Sequence, residues 1–227
     1  INEASDGINI RSRTSGADFS IGENAGLTAT HLGVRSFTAA TTLAELNFGR
    51  GVHKVPGTDF IIQRKDGVRI DVDVSNATTI GDVLDLINTP QAADPPASRV
   101  VAQLATNGNG IELVTIDAAV TAPFQVIRAN ASFAATDLGL ATGINDTSDP
   151  PVVGGGTETI TGRDVNVQEV DSVFTARIRL REALDANDDL AIERAVELVG
   201  HSRDRLNQVR GEIGARQQGL DFLKTRL

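Results

Sequence analysis

The sequence holds 227 residues, of which 40% are hydrophobic and 22% charged, a balance expected of a folded chain with one large domain or two modest ones. Its net charge of −9 argues against a nucleic-acid-binding protein, which needs a concentrated basic surface, and weakly against docking on an anionic membrane. The lack of Cys excludes a disulfide framework, a thiolate nucleophile and Cys-ligated zinc, and the missing initiator Met is expected of an internal segment of a longer protein.

Residues 1–34 repeat part of the sequence that lies about a hundred residues further on. The matches keep their order at offsets of 103, 105 and 106 residues: Gly7-Ile8 with Gly110-Ile111, Phe19 with Phe124, Ile21 with Val126, Asn24-Ala25 with Asn130-Ala131, Ala29-Thr30 with Ala135-Thr136, and Leu32-Gly33 with Leu138-Gly139. The constant order argues against coincidence. We therefore predict that 1–34 is the C-terminal part of a first β-rich module, truncated before its hairpin and helix, with residues 1–2 as the stub of that helix.

Residues 35–152 are predicted to form a second, complete module that begins with a β-hairpin. Residues 68–74 alternate strictly between apolar and charged side chains, which is the period of a half-buried strand. Residues 59–64 are a second apolar-rich run, and the Asp66-Gly67 pair between the two runs is a turn signal. The two runs should therefore pair as a hairpin.

A short helix and three further strands follow in the same module. Thr79 is a suitable N-cap, and Ile80, Val83, Leu84 and Ile87 form one apolar face of a helix that ends at residues 88–90. The predicted strands are 99–106, 111–116 and 123–128, with a turn at 107–110, and a brief helix follows residue 132.

A Gly-rich linker is predicted at 153–163, and residues 164–227 are expected to be helical. Apolar residues at three- and four-residue spacings predict one helix over 164–186, and residues 187–189 break the pattern. The helix predicted over 189–227 carries an apolar residue every seven positions, with a second, interrupted line three residues on that begins at Ala195. We call the following residues the seam: Ile192, Val199, Leu206, Val209, Ile213, Leu220, Leu223 and Leu227.

The lengths of the two predicted helices leave part of the seam without a partner. The last helix of 39 residues would be about 58 Å long, whereas the preceding one of 23 residues would be about 35 Å long. A hairpin of the two would leave the seam bare from about Leu206 onward. We expect either a helix from a preceding part of the same protein or another subunit to bury it, because exposure forfeits roughly 1.5–3 kcal/mol for each side chain.

No residue pattern indicates catalysis or a cofactor. His31, His53 and His201 are far apart in sequence, and no pair has metal-ligand spacing. Asp71 and Asp73 lack the glycine and terminal glutamate of a calcium loop and are read as a polar strand face. Residues 154–156 are three glycines without the Gly-Lys-Ser/Thr of a phosphate-binding loop. We expect no enzyme, no bound metal and no cofactor.

Three segments resemble a known family. Residues 210–218 (RGEIGARQQ), on the heptad helix, resemble the C-terminal helix of flagellins and their hook-associated relatives. Residues 173–184 look like the preceding helix of the hook-associated members. Residues 78–88 (TTIGDVLDLIN) resemble the flagellin hook "IN" motif, an insertion in the outer domains of these proteins.

The resemblance implies an α+β fold in which β-rich outer modules, as tandem IN-type repeats, attach to a long antiparallel helical hairpin or coiled coil. It also implies a structural subunit, exported unfolded through the flagellar type III channel and located outside the cell. Its partners would be other copies of itself, neighbouring flagellar axial proteins and an export chaperone. The segments favour a subunit at the hook–filament junction; the alternatives are a filament subunit and an adhesive or receptor-binding surface module, in which the β repeats bind a ligand.

Overall fold

The computed structural model describes residues 7–118, 121–141 and 156–226. Within these residues the protein is mixed α/β, with small antiparallel sheets and a long C-terminal helix pair. The chain divides into two compact units: unit 1 comprises Ile1–Ile10 and Ser20–Gln168, and unit 2 comprises Arg11–Phe19 and Glu169–Leu227. Unit 1 thus runs through both predicted modules, and the predicted boundary at residue 34 separates no compact units.

Unit 1 opens with β1 (Glu23–Asn24) and α1 (Thr28–His31) and continues with the predicted hairpin of β2 (Phe60–Gln63) and β3 (Arg69–Val72). The hairpin prediction is confirmed, since β2 pairs with β3 on one side and with β7 (Gln125–Arg128) on the other, both antiparallel. Ile70 and Val72 point into the core while Arg69 and Asp71 are exposed, as the alternation requires. Val68, predicted on the buried face, is exposed because it belongs to the turn.

The helix α2 (Ile80–Asn88) packs on β3 and on β4 (Val100–Leu104). Its start is confirmed: the Thr79 hydroxyl accepts the Asp82 amide at 3.2 Å, and the Asp82 carboxylate accepts the Thr79 amide at 2.9 Å, a reciprocal capping box. Ile80, Val83 and Ile87 are fully buried, which confirms the predicted apolar face. Two single 3₁₀ turns, Thr89–Gln91 and Pro96–Ser98, lead from α2 into β4.

A second sheet contains a strand where a linker was predicted. β6 (Ile111–Thr115) pairs with β4 and with β8 (Glu158–Thr161), and the short β5 (Asn107–Gly108) pairs with β1. The linker prediction for 153–163 is therefore wrong at β8, because buried Ile160 gives this short segment enough apolar contact to add to the edge of β6. Residues 153–155 lie outside the described residues.

The internal repeat is visible in the backbone. α1 and α3 (Ala134–Asp137) are offset by 106 residues, as the alignment predicts, and both end at a glycine with positive φ, +65° at Gly33 and +78° at Gly139. Equivalent hydrogen bonds close the two turns, from Leu32 N to Thr28 O at 3.0 Å and from Leu138 N to Ala134 O at 2.9 Å.

The first copy nevertheless lacks the predicted β-rich structure, since β1 is its only strand within residues 7–34. Residues 11–19 belong to unit 2 instead. The proposed helix stub at residues 1–2 lies outside the described residues.

A buried carboxylate connects the hairpin to the turn before α3. Asp59 accepts hydrogen bonds from Val55 N at 3.0 Å, Val74 N at 2.9 Å and the Ser132 hydroxyl at 2.6 Å. The residue is fully buried, so these donors replace the hydrogen bonds to water that the Asp59 side chain loses on folding. The contact joins the two halves of the second module.

Two buried polar side chains, Glu23 and Arg35, stabilise the end of the first copy and the start of the second module. The Glu23 carboxylate accepts the Thr30 amide at 2.7 Å and the Ala29 amide at 3.2 Å, and although burial raises the pKa of Glu23, these hydrogen bonds lower it below the ordinary value. Arg35 donates to Ala105 O at 2.8 Å and to Asn109 at 3.3 Å. Burial lowers the pKa of Arg35, and attraction to Glu23 partly opposes this.

Unit 2 contains α4 (Val173–Ala186) and α5 (Asp189–Arg226). The prediction that α4 begins at residue 164 is wrong. Val165 is buried in the core of unit 1, and the Asn166 side chain donates to Ser36 O at 2.7 Å. These contacts with unit 1 keep both residues out of the helix. The helix begins after Ser172, whose hydroxyl accepts the Thr175 amide at 3.1 Å as an N-cap.

Candidate assembly surface on the C-terminal helices

The helices of unit 2 fold back on each other but differ greatly in length. α4 has 14 residues and α5 has 38, or about 21 Å and about 57 Å at 1.5 Å per residue. Arg205 on α5 pairs with Asp171, which directly precedes the N-cap of α4, at 3.1 Å. This ion pair places the start of α4 beside Arg205, near the middle of α5. The second half of α5 therefore extends beyond α4.

The surface between α4 and α5 is made of small side chains. The buried hydrophobic residues among the described residues of unit 2 are Ala176, Ala183 and Ala195, together with the polar Thr175. Alanine methyl groups allow two helices to approach closely but remove little apolar area from water. Of the apolar residues whose spacing predicts this helix, Val173, Phe174 and Leu184 are exposed, and Leu180 is half-buried.

An ionic network adds to this small apolar contact. Arg179 on α4 pairs with Glu169 at 3.1 Å, with Glu182 at 3.0 Å and with Asp18. Arg194 on α5 shares Glu169. Burial opposes the charge of Arg179, but the surrounding carboxylates raise the pKa of Arg179 above its ordinary value.

Residues 11–19 pack along α4 through a close backbone contact. The Gly16 amide donates to the Thr175 hydroxyl at 3.1 Å, and the hydroxyls of Ser15 and Ser172 lie 3.0 Å apart. Gly16 has φ +75°, and a Cβ there would lie 2.6 Å from Cδ1 of Ile178. Only glycine therefore fits without displacing that side chain. Nothing in the sequence signalled this contact, because it joins residues about 160 positions apart.

The seam is exposed along most of its length. Val199, Leu206, Val209, Ile213, Leu220 and Leu223 are between 37% and 66% exposed. Ile192 is half-buried near the start of α5, and Leu227 lies outside the described residues. From Arg203 to Lys224 every residue of α5 except Gly214 is exposed. The prediction that a partner covers this face stays a prediction, whereas its exposure in the single chain is a finding.

The exposed part of α5 after Ser202 has a net charge opposite in sign to that of the whole chain. Residues 203–226 carry six basic and three acidic side chains, although the chain as a whole has a net charge of −9. The basic residues are Arg203, Arg205, Arg210, Arg216, Lys224 and Arg226, and the acidic ones are Asp204, Glu212 and Asp221. An acidic surface would complement this helix.

The outer face of α4 is a second apolar surface in unit 2. Phe174, Arg177, Ile178 and Arg181 line an open groove of about 390 Å³. The Arg side chains at the rim leave a mixed apolar and basic surface. Its shallow, open form suits contact with another polypeptide better than enclosure of a small molecule.

The histidines and paired aspartates form no metal site within the described ranges. No group of three or more His, Asp or Glu residues there is placed to hold a metal ion. His53 Nδ1 lies 2.8 Å from the Asp137 carboxylate, and His201 is exposed on α5. Asp71 and Asp73 are both exposed; the hydroxyl and amide of Ser75 lower the pKa of Asp73, with a small opposing contribution from burial. None of the described helices is long and apolar enough to cross a membrane.

Comparison with known proteins gives no family model that matches the chain, no similar curated protein and no similar solved structure.

Proposed function

We propose that this protein is a structural subunit of the bacterial flagellum that polymerises through the seam. The observation that carries the proposal is the exposure of the seam on α5, a helix that extends far beyond α4. Among the described residues of unit 2 the buried hydrophobic side chains are three alanines, so this unit gains little stability from a core of its own and would gain more by packing against another chain.

The seam contributes a substantial part of the energy needed for assembly. Five seam side chains from Leu206 to Leu223 are about half exposed, so covering them contributes about 4–8 kcal/mol before the cost of association. The basic, exposed second half of α5 and the acidic remainder of the chain would attract each other between copies. Each copy therefore offers both kinds of surface that a homopolymer needs.

The place in the flagellum is proposed from the sequence resemblance. The resemblance of residues 173–184 to hook-associated members, together with the repeat in unit 1, supports the hook–filament junction. In this proposal the β-rich unit 1 faces outward, and unit 2 contacts other copies and the neighbouring axial proteins. An export chaperone would bind the seam before secretion. The role is structural and includes no catalysis.

The decisive experiment replaces three seam residues in the full-length protein. The variant is expressed in the bacterium that naturally makes this protein. Leu206→Asp, Ile213→Asp and Leu220→Asp together place a charge every seven residues along the seam. Because these side chains are exposed in the single chain, unit 1 should unfold at an unchanged urea concentration. Motility in soft agar should be lost, and electron microscopy should show hooks without attached filaments.

The matched control carries the same charges on the opposite face of α5. Gln208→Asp, Ala215→Asp and Phe222→Asp have the same seven-residue spacing and lie roughly half a turn away from the seam. This variant should assemble and support motility. Normal filaments from the seam variant would refute the role of the seam. Antibody labelling that finds the protein away from the flagellum would refute the proposed location.

A further inference from the structure

The internal repeat provides a complete copy against which the incomplete copy can be compared. In the second copy, Ile111 and Leu113 on β6 and Leu138 after α3 are fully buried in one core cluster. The offsets of 103 and 106 residues make Ile8, Ile10 and Leu32 their equivalents in the first copy.

The equivalent residues of the first copy are exposed. Ile8 is 53% exposed, Ile10 is 47% exposed and Leu32 is 54% exposed. The backbone around Leu32 nevertheless matches the backbone around Leu138, with φ −79° and ψ −6° against φ −81° and ψ −2°. The turn after α1 thus has the local structure of the repeat without the core that buries its apolar side chain in the second copy.

A specific part of unit 1 forms that core in the second copy. The hairpin of β2 and β3 and the helix α2 supply Ile62, Ile80 and Val83 to the cluster that contains Leu138. Within residues 7–34 the structure holds neither a hairpin nor an α2 equivalent. Hydrogen bonds attach this segment to the rest of unit 1 instead, from Ala25 N to Thr106 O at 2.9 Å and from the Asn109 side chain to Ile21 O at 3.2 Å.

We propose that a second hairpin–helix segment, of the chemistry of residues 59–88 and joined on the amino-terminal side of Ile8, completes a second β module on Ile8, Ile10 and Leu32. The order of the repeat supplies the direction, since the hairpin and α2 precede β6 in the complete copy. The hairpin and helix of a second molecule of this chain cannot supply this cover, because their Ile62, Ile80 and Val83 are already buried in that molecule's own module. This second module is independent of the role proposed for the seam.

A tandem fusion tests the proposed module on the full chain. A duplicate of residues 54–103 is placed directly before residue 1, because the offset of 103 residues pairs residue 1 with Leu104. Hydrogen exchange of the amides at 8–10 and 28–34 is then compared between the fusion and the original chain. The expected result is exchange at least tenfold slower in the fusion at both segments.

Two control fusions separate module formation from a simple effect of added chain. In the first, the duplicate carries Asp in place of the residues copied from Ile62 and Val83. In the second, the duplicate is unchanged, but the original segment carries Ile8→Asp and Leu32→Asp. Both controls should lose the slowed exchange.

Two results would overturn the proposed module. One is a folded duplicate that leaves exchange at 8–10 and 28–34 unchanged. The other is a duplicate that remains unprotected in every fusion, because the two halves then do not complement each other.

Discussion

The clearest quantitative test compares the same substitution at two equivalent positions of the repeat. Leu138→Ala removes a fully buried side chain from the core of unit 1, whereas Leu32→Ala removes one that is 54% exposed. Both residues follow a four-residue helix and have nearly the same φ and ψ. Differences in backbone preference between Leu and Ala therefore cancel in the comparison, and burial remains as the variable.

The structure sets the size of the expected difference. Leu→Ala in a closed core costs about 2–5 kcal/mol through lost transfer energy and the cavity left behind. The same change at a half-exposed site costs about 0.5–1 kcal/mol. For a unit of this size each kcal/mol moves the melting temperature by about 2–4 °C, so Leu138→Ala should lower it by about 10 °C.

Urea unfolding followed by far-UV circular dichroism measures both variants. The midpoint should fall strongly for Leu138→Ala and slightly for Leu32→Ala, and the m-value should not change in either. Equal losses at the two positions would refute the reasoning, because they would mean that the first copy already has a closed core around Leu32.

Two further predictions concern carboxylates of unit 1. Asp59→Ala leaves the buried amides of Val55 and Val74 and the Ser132 hydroxyl without their acceptor, which should cost about 3–5 kcal/mol in urea unfolding, with Asp59→Asn intermediate; a loss below about 1 kcal/mol would contradict this. Hydrogen bonds from residues 78 and 79 lower the pKa of Asp82 to about 2, so this residue stabilises the fold above its ordinary pKa of 3.8 and loses that contribution as the pH falls towards 2. Urea midpoints measured between pH 2 and 5 should therefore fall less steeply for Asp82→Asn than for the original chain, and equal slopes would contradict the assignment.

Local patterns in the sequence predicted the elements that depend on local interactions. The hairpin follows from strict alternation and an Asp-Gly turn, and α2 follows from its capping box and its apolar face. The brief helix α3 and its copy α1 follow from short-range hydrogen bonds that each segment makes with itself. In these cases the residues that determine the structure are neighbours in sequence.

The elements that were missed depend on distant residues. β8 is a strand because β6 lies beside it, and its four residues carry too little periodicity to show this alone. Val165 has the spacing of an apolar residue in a helix, but it is buried in the core of unit 1 instead of on a helix face. The seam could be predicted as a pattern, whereas the alanine contact between α4 and α5 and the ionic network around Arg179 depend on tertiary structure.

The small apolar contact between α4 and α5 also affects how easily the helices separate. Few apolar side chains of this pair are fully buried, and water can partly replace its ion pairs, so the free energy of local opening is small compared with that of unfolding unit 1. In the proposed polymer, α5 would therefore leave α4 and pair with a longer helix while the β-rich unit stays intact. Assembly of a chain that has already folded outside the cell would then need no further unfolding of unit 1.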